Sequence, residues 1–316
     1  MDPQYFKSHT MCWGTLGTVR PFSSFHPQKD VLVIHEALEK KDAGALVRLL
    51  TNRNNAQRQE IAKIFKEATQ RDLVAGMKKV LSGDLETLML ELMMLPTEHK
   101  AHRLHRAMAG LGTDEETILE ILCTRSVKQL RDISAAYKLL YKKDMEKELK
   151  GETSGDFAKL LLALMNKEEV AGFVQRDIEV LAASLNGKKA DAAPWIDILT
   201  SRDLNHLDQV LMGLERESRQ KVIPALEKRF SGDIRLGLSV LVQCIRNPDV
   251  YLAKRLTGMK APVVQSIMVS HSEEDLLCIR VAFRKLAGDS LYTTLQKHFK
   301  GDHLQALLAI CRSEDC

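Results

Sequence analysis

No stretch of this 316-residue chain comes near the roughly 18 consecutive apolar residues that a membrane-spanning helix needs. Residues 1–19 carry charged and polar groups where a secretion signal needs a continuous apolar core, so the expectation is a cytoplasmic protein. The six cysteines, Cys12, Cys123, Cys244, Cys278, Cys311 and Cys316, form no CxxC or CxH pair, which argues against a zinc site or a disulfide frame. Aromatic residues make up only 5 %, and no window alternates apolar and polar side chains as a half-buried strand does. Net charge is only +4, and no basic run is interleaved with aromatics, so nucleic acid is not an expected partner. Gly110-Leu111-Gly112 lacks the preceding strand and third glycine of a dinucleotide loop, and there is no Walker lysine or GxSxG motif; a binding protein is expected, not an enzyme.

What is present is a ruler used four times. A basic residue closes a helical apolar run, and the glycine of a Gly-Asp turn follows 30 residues later: Arg53 and Gly83, Arg125 and Gly155, Arg202 and Gly232, His271 and Gly301. Successive copies are 72, 77 and 69 residues apart, so length changes fall outside the ruler, where loops tolerate them. The expected division is a tail at 1–29 and repeats at 30–96, 97–168, 169–248 and 249–316. Units this small rarely bury enough apolar surface alone, so they are expected to stack. The abundance of Leu, Ala, Lys and Glu favours helix, and the fold class is all-α.

The second copy is the clearest. An amphipathic helix over 101–108 ends at Gly110-Leu111-Gly112, and Thr113-Asp114-Glu115-Glu116 then offers an N-cap and first-turn acids. A following helix from Ser126 to Tyr141 should bury Leu130, Ile133, Ala136, Tyr137 and Leu140. A short helix leads to the turn Gly151-Glu152-Thr153-Ser154-Gly155-Asp156, and roughly five helices complete the unit. Two readings of the loops stand open. Gly110 and Gly112 can turn carbonyls outward, and Glu152, 40 residues after Gly112, can add a carboxylate to make an oxygen-donor calcium site with open positions. Alternatively, the glycines only make a tight interhelical turn and Glu152 is solvated.

These residues resemble the annexins, and the resemblance runs from Trp13 to the end. It rests on Met108-Ala109-Gly110-Leu111-Gly112-Thr113-Asp114-Glu115 with Glu152, on Leu50-Thr51-Asn52-Arg53-Asn54-Asn55-Ala56-Gln57-Arg58, and on Ile267-Met268-Val269-Ser270. The resemblance implies four stacked five-helix repeats in a curved disc, with calcium loops on the convex face and the tail on the concave one. It implies peripheral binding to anionic phospholipid such as phosphatidylserine, with calcium bridging loop and headgroup oxygens. Carried over, the calcium ligands are the carbonyls of Met108, Gly110 and Gly112 and the carboxylate of Glu152. The carbonyl of Thr113 and Glu115 would form an accessory site.

The other copies depart from that pattern. Leu38-Glu39-Lys40 with Val80, Gly187-Lys188-Lys189 with Arg229, and Leu256-Thr257-Gly258 with His298 replace the glycine pair and the acid. One calcium site is therefore expected, with weak calcium dependence, because fewer bridges mean less avidity. The basic loops, Lys40, Lys41, Lys188, Lys189, Arg229 and Lys260, offer an alternative: direct, calcium-free contact with acidic lipid, or an adaptor that also uses the N-terminal tail to hold a protein partner.

Three further features have simpler readings. His99, His102 and His105 recur every three residues, a spacing that drifts around a helix, and are expected on the surface. Trp195, Cys123 and Cys278 are expected in the core, whereas Cys12, Cys311 and Cys316 near the ends are expected to be open to oxidation. Lys100 and Arg103 stand where the resemblance expects channel acids, which argues against cation conduction.

Overall fold

The computed structural model describes residues 16–110 and 112–312, and among them every regular element is a helix. The first five are α1 (Pro27–Lys40), α2 (Ala43–Leu50), α3 (Asn55–Thr69), α4 (Leu73–Met77) and α5 (Gly83–Met93). The next five are α6 (Pro96–Met108), α7 (Glu115–Thr124), α8 (Val127–Tyr141), α9 (Met145–Glu152) and α10 (Gly155–Met165). Then come α11 (Val174–Asn186), α12 (Ala193–Ser201), α13 (Leu204–Ser218), α14 (Val222–Arg229) and α15 (Gly232–Arg246). The last five are α16 (Pro248–Leu256), α17 (Ala261–His271), α18 (Leu276–Ala287), α19 (Leu291–His298) and α20 (Gly301–Cys311).

The ruler has a physical cause at both ends. Gly83, Gly155, Gly232 and Gly301 each open the fifth helix of their group at φ between 59° and 63°, a left-handed conformation that a Cβ disfavours. The aspartate that follows each lies in the first turn, where the helix dipole favours negative charge. At the other end the basic residue reaches back to an aspartate on the first helix. Arg53 donates to both oxygens of Asp30 at 2.7 and 2.9 Å, and Arg202 to those of Asp177 at 2.8 and 3.3 Å. In the fourth group His271 makes a shorter-range pair, its Nδ1 2.6 Å from Asp275 Oδ1.

The third helix of each group stops in the same way. Gln70, Lys142, Arg219 and Gly288 are left-handed caps, and the amide of Gln70, Lys142 and Gly288 closes on the carbonyl four residues back. Starts are capped with similar regularity: Asn54 and Ser126 form capping boxes with Gln57 and Gln129.

The described residues divide into two compact units, those within 16–99 together with 252–312, and those within 100–251. In the first, α5 packs on α17 and α20, and α2 packs on α20. Ile34, Leu46, Leu50, Ile61, Leu88, Val264, Ile267, Leu307 and Ile310 are completely shut from solvent there. In the second unit α7 packs on α15, α10 on α12 and α15, and α11 on α13. Its core includes Leu119, Tyr137, Leu160, Leu161, Leu181, Trp195, Leu207 and Leu238.

Some core expectations need correction. Leu130, Ile133, Ala136 and Tyr137 are buried as expected, but Leu140 is 43 % exposed, because it lies in the last turn of α8 just before the left-handed cap. Cys311 is wholly buried rather than open to oxidation, since α20 carries it into the core of its unit. Cys12, Cys316 and the tail residues proposed to dock a partner lie outside the described residues.

Candidate metal centre and its altered copies

The geometry of the second repeat starts at the end of α6. The buried Met108 anchors the last turn, and the backbone then passes through exposed Gly110 at φ 111° and Gly112 at φ 95°. A Cβ at either glycine would meet nothing within 4 Å, so what requires glycine is the backbone angle and not crowding. The loop is closed by the amide of Asp114 donating to Ala107 O at 2.8 Å. Asp114 then caps α7 by accepting from the amide and hydroxyl of Thr117 at 3.0 and 2.7 Å. The Thr113 hydroxyl donates to Glu115, holding that half-buried carboxylate beside the loop.

Glu152 is exposed and is the last residue of α9. A helix C-terminus carries partial negative charge from its unpaired carbonyls, so a carboxylate there is disfavoured by about 0.3–1 kcal/mol unless a cation compensates. The same position is occupied by Arg229 at the end of α14 and by His298 at the end of α19, basic groups that suit a negative helix end. In the first repeat Val80 falls three residues past α4. The residue just before is Lys79, Lys228 or Lys297 in these three copies and Gly151 in the second.

The altered loops differ in detail. In the third repeat the guanidinium of Arg229 donates to the carbonyl oxygen of Lys189, 40 residues earlier, while Lys188 and Lys189 expose their side chains. In the first, Lys40 is exposed and paired with Glu36 at 2.5 Å, and Lys41 takes the left-handed C-cap of α1 at φ 54°. In the fourth, exposed Lys260 is the N-cap of α17 and His298 Nδ1 lies 2.9 Å from Thr294 O on its own helix.

Two site expectations made from spacing are revised by the packing. His99 is not on the surface: it is 2 % exposed, with Nε2 3.3 Å from Glu91 and Nδ1 3.3 Å from the Ser270 hydroxyl. His102 and His105 are half-buried against α8, where His102 meets the Tyr141 hydroxyl at 2.9 Å and His105 stacks on the Tyr141 ring at 3.8 Å. The histidines are therefore divided between polar and aromatic partners. Lys100 and Arg103 are buried too, and Arg103 pairs with Glu120 at 2.8 Å.

Sequence spacing also missed contacts between distant residues. The buried Cys244 thiol meets the side chain of Cys123, and burial followed by that contact pushes its pKa well up. Glu273 accepts from the amide of Asn55 at 2.6 Å and from Arg58 at 3.1 Å. Burial raises the Glu273 pKa despite those bonds, and burial lowers that of Arg58 to about 10 against the pull of Glu273.

The annexin family model matches residues 29–92, 99–164 and 253–310, and no matched segment falls within 165–252. The chain belongs to the annexin family. It is 36 % identical to mouse annexin A9 over 319 residues, covering 97 % of this chain and 92 % of that protein. Human annexin A9 is 35 % identical over 323 residues, with coverages of 98 % and 93 %. Among solved structures, annexin III superposes with a TM-score of 0.91 at 34 % identity, covering 97 % of this chain and all of that one. The chain is therefore an annexin similar to annexin A9, all-helical, from a family known for binding membrane phospholipid. Among its described residues no helix is long and apolar enough to cross a membrane. The stretch outside the matched segments contains Arg229.

Proposed function

We propose that this annexin is a peripheral, cytoplasmic protein that binds anionic phospholipid, with weak calcium dependence supplied by one site in the second repeat. The observations that support this reading are two exposed glycines at positive φ and, 40 residues after the second, an exposed carboxylate at a helix C-terminus. The donors fit calcium: Met108, Gly110 and Gly112 would supply backbone carbonyls and Glu152 a carboxylate, with Thr113 and Glu115 as the accessory set. All are hard oxygen ligands, and the negative end of α9 adds attraction for a cation. Bound calcium would supply open coordination positions for headgroup oxygens. This is binding chemistry, and we assign no catalytic role.

A second reading is favoured by the third repeat. There a protein cation already contacts the loop carbonyl of Lys189, and Lys188 and Lys189 remain exposed. In that reading the basic loops, including Lys40, Lys41 and Lys260, contact acidic lipid directly, and the N-terminal tail serves an adaptor role.

Cosedimentation with phosphatidylserine vesicles, across calcium and salt, separates the readings. Calcium-dependent binding that disappears in Glu152→Ala supports the first. Binding that ignores both calcium and the substitution, and weakens with salt, supports the second.

A further inference from the structure

We propose that the third repeat holds a calcium-free phosphate site, built on the guanidinium of Arg229 where the second repeat has the carboxylate of Glu152. The inference deepens the second reading above, and rests on it only for the source of the phosphate.

The loop between α11 and α12 is fastened without a metal. The Ser184 hydroxyl donates to Asp191 O at 2.8 Å, and Arg229 donates to Lys189 O between those ends. The loop carbonyl is thus satisfied by a fixed positive charge. A guanidinium has five N–H donors, so this contact leaves others to serve a ligand. Arg229 Nε is one of them: it is shut from solvent and meets no acceptor among the described residues. A buried donor without an acceptor costs free energy, and an oxyanion ligand removes that cost.

Beside it lies a cavity of about 390 Å³, lined in part by Asn186, Ser218, Gln220, Lys228 and Arg229. Among the described residues its lining contains two cations, several neutral polar side chains and no acid. The first repeat has a cavity at the matching position, about 550 Å³, also lined by the residue at the Glu152 position and the lysine before it. That one carries its own carboxylates beside its cations: Glu39 takes Arg71 at 2.9 Å, and Asp72 also lines it. Unlike the first-repeat cavity, the third-repeat cavity combines a planar guanidinium fork with an adjacent lysine and no competing carboxylate among its described lining residues. A fork of that kind matches a tetrahedral phosphate, the lysine adds a point charge, and the chemistry is that of a phosphate group on a lipid headgroup or free in solution.

The test uses the full-length protein in chelator, so that the Glu152 site is silent and its success or failure is read separately. Vesicles of phosphatidic acid in phosphatidylcholine probe the lipid source, and inorganic phosphate, followed by the NMR signal of the Arg229 Nε–H, probes the free one. Arg229→Gln should weaken vesicle binding about tenfold, the loss of a charge-assisted hydrogen bond. Lys228→Gln, which leaves the contact with Lys189 intact, should weaken it in the same direction. Melting temperature checks that each variant folds. A shift of the Nε–H with inorganic phosphate, without any vesicle effect, supports the site and assigns it to free phosphate. An unmoved Nε–H together with unchanged vesicle binding overturns the proposal. So does an equal loss in Lys285→Gln, which removes one charge from α18 in the other unit, because binding would then be diffuse.

Discussion

Arg229 donates to the carbonyl of Lys189 across 40 residues of chain, the separation that also divides Gly112 from Glu152. The two repeats therefore place opposite charges at one position of one scaffold. In the second, a carboxylate ends α9 and leaves a negative helix terminus still more negative. In the third, a guanidinium ends α14, offsets the helix dipole and occupies the loop carbonyl from within. A repeat can thus keep its helices and carry either a carboxylate or a guanidinium at this terminus.

That exchange makes the loop glycines of the second repeat testable. Gly112→Ala puts a side chain at φ 95°, a strain on the order of 1–3 kcal/mol, with no neighbour within 4 Å to complicate it. Calcium affinity measured by calorimetry should fall at least about fivefold as the loop relaxes. Gly151→Ala is the control: Gly151 lies inside α9, so alanine there should raise stability by about 0.5–1 kcal/mol and leave calcium affinity intact. Unchanged affinity in Gly112→Ala would rule out the loop conformation as a determinant.

Asp177 gives a prediction with a pH signature. Burial raises its pKa, but hydrogen bonds from Arg202 and from His206 at 2.8 Å outweigh that and leave it below the usual carboxylate value. A depressed folded-state pKa means stability that is present above the unfolded-state value and is lost as pH falls through the folded one. Asp177→Asn leaves Arg202 without its buried partner and should cost about 3–5 kcal/mol at neutral pH. The difference in melting temperature from wild type should begin to narrow below about pH 4, the unfolded-state carboxylate value, and close as pH falls through the lower folded-state one. A gap that stays constant with pH would show that the charge of Asp177 is not what stabilises the pair.

Gly17 docks the start of the described chain against the α17–α18 turn. A Cβ there would lie 2.6 Å from the carbonyl carbon of Glu273, while Val19 donates to Ser272 O at 2.9 Å and Leu277 to Leu16 O at 3.0 Å. Gly17→Ala should cost about 1–3 kcal/mol and speed hydrogen exchange at the Val19 and Leu277 amides, because the obstructing atoms are backbone. Exchange rates equal to wild type would mean that the segment shifts without losing those bonds.

Much of the fold was legible from the chain because its determinants are local. Helical periodicity, caps such as Asn54 and Ser126, and the left-handed Gly83, Gly155, Gly232 and Gly301 each act within a few residues, and so they repeat in register. The candidate calcium site was proposed on spacing of the same kind: Gly112 and Glu152 stand 40 residues apart, as do the residues at the matching positions of the other copies. Tertiary structure alone decided which polar groups meet. Asp30 and Asp177 receive Arg53 and Arg202 from the turns that follow α2 and α12, His99 is buried against Glu91 although its spacing suggested a surface, and Cys244 meets Cys123 from a different repeat. Arg229 belongs with them. Its identity is written in the sequence, but whether it faces water, lipid or its own loop depends on how α14 is set against the end of α11. Helix packing determines that placement, and no local pattern encodes it.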